Sequence, residues 1–121
     1  MSIVVDSSAI LAFLQQEPGS AVVEEHFARG TVIGAANWSE VAQKTRVTGS
    51  WSLAKGILGT YEVLVEPVTE ADGEWAAARW TPGEGLSLAD RLCLALAARL
   101  DLPVLTADRS WGSGHPVVQL R

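Results

Sequence analysis

The feature that most constrains this chain is a rhythm. Short apolar runs of four to seven residues alternate with longer segments of helical periodicity. The runs are "SIVV" (2–5), "TVIGAA" (31–36), "EVLVEPV" (62–68), "LPVLT" (102–106) and "PVVQL" (116–120). Runs this short, flanked by turn residues, read as strands, the first of them buried. Between them, "SSAILAFLQQ" reads as a helix stopped by Pro18-Gly19, and "AVVEEHFAR" as one capped by Ser20 and closed by Gly30. Asn37 is expected to cap "WSEVAQKTRV". "SWSLAKGILGTY" is helical despite Gly56 and Gly59, Thr69 caps "EADGEWAAARW", and Ser87 caps a long apolar helix reaching about Leu100. Residues 81–85 form a loop, and Asp108-Arg109-Ser110-Trp111 a short turn or helix. Strands alternating with helices require right-handed crossovers and a parallel sheet covered on both faces. The expected architecture is therefore α/β, with four or five mainly parallel strands in a single domain spanning 1–121.

Composition agrees with a packed soluble domain: 48% of residues are hydrophobic and 19% charged. No apolar run is long enough to span a membrane. The opening "MSIVVD" has no basic region and is not expected to be a signal peptide. The single cysteine, Cys93, forms no internal disulfide and suits a reducing cytoplasm. Net charge is −5, which excludes unspecific adhesion to nucleic acid by charge alone.

Four acids occupy one class of position. Asp6 ends the first strand and Asp108 lies two residues beyond the fourth. Glu40 and Asp90 each lie three residues after an expected cap, Asn37 and Ser87. In an open parallel sheet all four locations fall on the edge beyond the strands' carboxyl ends, where sites form. Each acid also has a purely structural reading. "NWSE" and "SLAD" have the form of capping boxes, and Asp6 and Asp108 can each cap the helix or turn after it. Jointly that reading is costly, because two carboxylates about 4 Å apart repel by about 4 kcal/mol at an effective dielectric near 20. A cap returns only about 1 kcal/mol. A hard divalent cation with oxygen ligands, Mg²⁺ or Mn²⁺, resolves the conflict. Without these four, nine basic residues face ten acidic ones, so most of the excess charge belongs to the expected site.

The stretches "VVDSSAILAFL", "NWSEVAQK", "SLADRLCLALA" and "VLTADRSW" together resemble the motifs of PIN-domain ribonucleases, and most nearly the VapC-like toxins of bacterial toxin–antitoxin pairs. The resemblance spans nearly the whole chain, in the family's order, and says least about 50–85. It implies a three-layer α/β/α sandwich, Mg²⁺- or Mn²⁺-dependent endoribonuclease activity, homodimerisation, and inhibition by a cognate antitoxin in the cytoplasm. It carries Asp6, Glu40, Asp90 and Asp108 over as the catalytic, metal-binding acids. Ser8 and Thr106 follow as hydroxyls supporting them. Metal-activated water attacking the RNA phosphodiester leaves 5′-phosphate and 3′-OH ends. Two readings stand beside the toxin: a PIN nuclease of RNA processing, and a PIN-like binding module without activity.

Other residues carry less. His26 and His115 have no ligand or catalytic partner at useful spacing. Lys44, four residues after Glu40, suits an intrahelical ion pair or a phosphate contact, and Arg46, Arg91 and Arg109 are similar cases. Trp38 and Trp111 neighbour the acidic motifs and are placed to stack on bases. Trp51, Trp75 and Trp80 suit a core or an interface. Glu24, Glu25, Glu70, Asp72 and Glu74 read as solvated surface. A phosphoacceptor receiver is disfavoured because the last strand lacks a lysine. A related phosphatase is disfavoured because Ser8 stands where a second Asp is needed.

Overall fold

The computed structural model describes residues 2–121. In chain order the elements are β1 (Ile3–Val5), α1 (Ser7–Leu14), α2 (Ser20–Phe27), β2 (Thr31–Gly34), α3 (Ala35–Val47) and α4 (Trp51–Thr60). They continue with β3 (Leu64–Glu66), α5 (Glu70–Arg79), α6 (Leu88–Leu100), β4 (Val104–Thr106), a 3₁₀ turn (Arg109–Trp111) and β5 (Val117–Gln119). All strand pairs are parallel, and the sheet order is β3-β2-β1-β4-β5. Sequence order reverses between β2-β1 and β1-β4, so β1 sits at the switch point, with β2 and β4 as its neighbours.

The pleat divides the core. Ile3, Val5, Ile33 and Leu105 point to one face, where they pack with Ile10, Phe13, Val23 and Leu58 from α1, α2 and α4. Val4, Val32 and Val104 point to the other, against Cys93, Leu94, Leu96 and Ala97 of α6. The period-two alternation of apolar side chains thus fills two helical layers around one sheet, the three-layer α/β/α architecture.

Two expected caps are placed differently. Gly34, not Asn37, is the cap of α3, and Asn37 lies inside the helix. β2 passes directly into α3 with no side-chain cap, which composition does not signal. Likewise Gly19, at φ +98°, precedes α2, and Ser20 is its first helical residue. Gly19 is required there twice over: its φ is left-handed, and a Cβ would lie 2.6 Å from Leu120 Cγ. The Thr69 and Ser87 caps form as expected, each as a full capping box. Asp72 is not solvated surface. It is buried, closes the Thr69 box, and pairs with Arg99 of α6 through Nε–Oδ1 at 3.0 Å and Nη2–Oδ2 at 3.2 Å. Burial alone would raise its pKa, but the Arg99 and Thr69 hydrogen bonds outweigh that and hold the carboxyl below its ordinary value. This pair fastens α5 to α6. No helix among the described residues is long and apolar enough to cross a membrane.

Candidate active site

Asp6 leaves β1 in extended conformation and caps α1. Its side chain is only 3% exposed. Oδ1 accepts from the Ala9 amide at 2.9 Å and the Ser8 hydroxyl at 2.7 Å, while Oδ2 accepts from Thr106 Oγ1 at 2.6 Å. Burial raises the Asp6 pKa, the three hydrogen bonds pull against it, and the nearby charge of Asp90 adds to the rise.

Thr106, fully buried at the end of β4, is the joint of the site. Besides donating to Asp6, its oxygen accepts the Asp108 amide at 3.0 Å. Ser8 similarly donates to Asp6 and accepts the Ala107 amide at 2.9 Å. Each hydroxyl spends its one hydrogen on Asp6, so the 3.2 Å approach of Ser8 to Thr106 is a contact rather than a further bond. Two hydroxyls therefore lock the carboxyl ends of β1 and β4 together around one carboxylate.

The other acids approach from three further elements. Asp90 closes the Ser87 box through Oδ2, which accepts the Ser87 amide at 2.9 Å. Asp108 caps the 3₁₀ turn through Oδ1, which accepts from the amide and hydroxyl of Ser110 at 2.9 and 2.7 Å. Glu40, in the second turn of α3, is held through Oε1 by Ser7 Oγ at 2.9 Å and Asn37 Nδ2 at 3.0 Å. Each of these three acids uses one oxygen for its local partners, and no hydrogen bond engages the other. Burial raises the Asp90 pKa against the Ser87 hydrogen bonds, and the charges of Glu40 and Asp108 raise it further. The buried Cys93 thiol is pushed up by burial first, then by Asp6, Asp90 and Glu40. Asp90 is thus the common neighbour: its charge bears on Asp6, and those of Glu40 and Asp108 bear on it.

Among the described residues no three ligating side chains close around a single point. This is not the dry cage of a structural zinc. The donors are all hard carboxylate oxygens, and in Glu40, Asp90 and Asp108 one oxygen accepts no hydrogen bond from the described residues. Such a set fits Mg²⁺ or Mn²⁺, which keeps several waters and takes one or two carboxylates directly.

Three positioning contacts were not foreseen from sequence. Ser7 and the buried Asn37 fix Glu40. Gln119 of β5 donates to the carbonyls of Asp108 and Gly112, at 3.0 and 2.6 Å, and clasps the turn that carries the last acid. The lone signal for Gln119 is its polarity in an apolar run.

The basic residues divide. Lys44 is exposed and makes no ion pair with Glu40. Arg91 makes no ion pair with the four acids and donates to the Ala76 carbonyl at 2.8 Å, tying α6 to α5. Arg46 lies over the Trp51 ring at 5.8 Å, and Trp51 meets Trp38 edge-on. Arg109 is exposed beside Asp108. His26 and His115 make no hydrogen bond to the acids.

The PIN domain family model matches residues 3–113. Comparison with curated protein sequences finds no match. Among solved structures, a toxin–antitoxin complex from Klebsiella pneumoniae superposes with a TM-score of 0.83 at 17% identity, covering 98% of both chains. VapBC2 from Rickettsia felis, bound to a DNA fragment from its promoter, gives 0.73 at 10% identity, covering 98% of this chain and 97% of that one. FitAcB from Neisseria gonorrhoeae gives 0.68 at 17% identity, covering 100% and 97%. At these identities the superpositions establish the fold alone. The family match spans every element that bears an acid, and on that ground the chain belongs to the PIN domain family.

Proposed function

We propose that this protein is a divalent-metal-dependent endoribonuclease and the toxin of a toxin–antitoxin pair. The observation that carries the reading is the placement of Asp6, Glu40, Asp90 and Asp108 at one sheet edge of a PIN fold, with Asp90 within reach of the charge of each of the others. Asp6 is the fixed centre of the site, held from below by Ser8, Ala9 and Thr106. Asp90 and Asp108 present free oxygens from a helix start and a 3₁₀ turn, and Glu40 does so from the opposite flank. These residues would hold Mg²⁺ or Mn²⁺. When bound, such an ion acidifies water and offsets charge developing on the phosphodiester. The chain supplies orientation: rigid strand ends and helix caps fix the carboxylates in advance, so little reorganisation accompanies the reaction. Arg109, exposed beside Asp108, is placed for a backbone phosphate.

The Klebsiella pneumoniae neighbour is described as a toxin–antitoxin complex, which supports a cognate antitoxin as partner. A groove between α1, α3 and α4, floored by Leu11, Leu14 and Ile57 with Leu53 on its rim, offers that partner an apolar surface. Homodimerisation and action on cytoplasmic RNA complete the proposal.

The test is cleavage of total RNA with Mg²⁺ or Mn²⁺, comparing wild type with Asp90→Ala and mapping the ends. Metal-dependent cuts bearing 5′-phosphate, lost in the variant, support the reading. Cyclic-phosphate ends, or full activity in EDTA, overturn it. Growth arrest on expression, abolished by Asp6→Ala, separates a toxin from a binding module that lacks activity.

A further inference from the structure

A cavity of about 490 Å³ lies on the flank of α6, bounded by α5 and by the loop after the 3₁₀ turn. Trp75 of α5 and Trp111 of the turn wall it, Leu94 and Ala97 line it from α6, and Asp101 and His115 stand at its far end. Its volume is that of a small-ligand site. Two features tie it to the acidic edge. Trp111 belongs to the 3₁₀ turn capped by Asp108, and Leu94 lies one helical turn beyond Asp90. Arg109, between Asp108 and Trp111, is exposed and in no ion pair among the described residues.

Asp101 is the informative residue. It caps the C-terminus of α6 at φ +54°, a left-handed position that aspartate tolerates. The helix dipole there favours a cation, not a carboxylate. No side chain among the described residues pairs with it. An exposed, unpaired carboxylate set against the helix dipole and lining a tryptophan-walled cavity is free to accept hydrogen bonds from a ligand.

We propose that this cavity seats a guanine base of single-stranded RNA, stacked against Trp75 or Trp111 with its Watson–Crick N–H edge on Asp101, at the end of α6 remote from the acidic site, on the strand whose cut phosphate lies at the other end. Aromatic stacking accepts any base, whereas a carboxylate accepting two parallel N–H bonds selects guanine. The inference rests on the nuclease reading for its substrate, but its first test does not involve cleavage.

The probes are guanosine and uridine 5′-monophosphate, titrated in EDTA into ¹⁵N-labelled protein while the five indole N–H resonances are followed. The guanine nucleotide should move the Trp75 and Trp111 signals, leave Trp38 and Trp51 in place, and bind about ten-fold or more tightly than the uridine nucleotide. Asp101→Asn should remove that preference. Ala98→Leu fills the cavity from an exposed position and should abolish the shifts with the melting temperature retained. A guanine-containing RNA oligonucleotide should bind more tightly than the mononucleotide, and mapped cuts should carry guanine at a fixed offset that Asp101→Asn erases. Unmoved Trp75 and Trp111 signals, an unchanged preference in Asp101→Asn, or no advantage of RNA over mononucleotide overturns the proposal. So does a cavity that answers only to a protein partner. If the indole shifts appear and wild type cuts no RNA, the nuclease reading fails while a guanine pocket stands.

Discussion

Thr106→Val removes one oxygen and nearly nothing else, so it isolates the joint between β1 and β4. The lost donor serves a buried carboxylate, and a hydrogen bond to a charged group contributes about 1.5–3 kcal/mol. The Asp108 amide also loses its acceptor, but Asp108 is exposed and water replaces much of that bond, leaving about 1 kcal/mol. The expected loss at neutral pH is therefore about 3 kcal/mol. Thr106→Ser keeps the oxygen and should lose only about 1 kcal/mol for the buried methyl. The pH dependence has a definite sign. The folded-state pKa of Asp6 is already raised by burial, so its ionised form disfavours the fold; that penalty is absent below the unfolded-chain carboxyl range and grows as pH rises through the folded value. Thr106 is the largest influence lowering that pKa, so its removal lifts it further. The deficit of Thr106→Val relative to wild type should be greatest at neutral pH and shrink on acidification toward about pH 4.5, just above the unfolded-chain range. Urea unfolding followed by tryptophan fluorescence, with chelator present, measures both quantities. A deficit under about 1 kcal/mol, or one independent of pH, would refute the role assigned to Thr106.

Asp90→Asn keeps a side-chain oxygen for the Ser87 amide and removes a charge repelled by Glu40 and Asp108, so the chelated protein should melt no lower than wild type, whereas the rise produced by Mn²⁺ should shrink; calorimetry with and without the ion checks both. Arg99→Leu strands the buried Asp72 and should cost about 2 kcal/mol, less than a fully buried pair because Arg99 is partly exposed. Since Asp72 titrates below its ordinary value, the wild-type advantage should be present at neutral pH and fade as pH falls through the folded value, which denaturation against pH reads out. Gly19→Ala drives a Cβ into Leu120 at a left-handed φ and should cost about 1–3 kcal/mol in the same assay.

Much of the fold is written in local pattern. Alternating apolar runs named the five strands, and the Ser87 and Thr69 boxes announced two helix starts by residue type alone. The edge shared by the four acids came from topology, since strand ends and helix starts coincide there. The features that escaped depend on partners distant in sequence. Asp72 looked solvated because Arg99 lies 27 residues away, and Gln119 looked ordinary because the turn it clasps is defined only in three dimensions. Asn37 misled because its side chain faces Glu40 instead of capping, and a helix that starts directly from a strand leaves no signature. The cavity beside α6 was illegible for a similar reason: its walls come from α5, α6 and the final loop.

The hydroxyl of Thr106 reaches a carboxylate 100 positions earlier. Parallel pairing across so long a separation closes late, because chain entropy must be surrendered before the contact repays it. A nascent polypeptide still short of β4 carries Asp6 without its clamp and without Asp108 as a neighbour. The acidic edge is therefore completed in one step, when the ends of β1 and β4 meet.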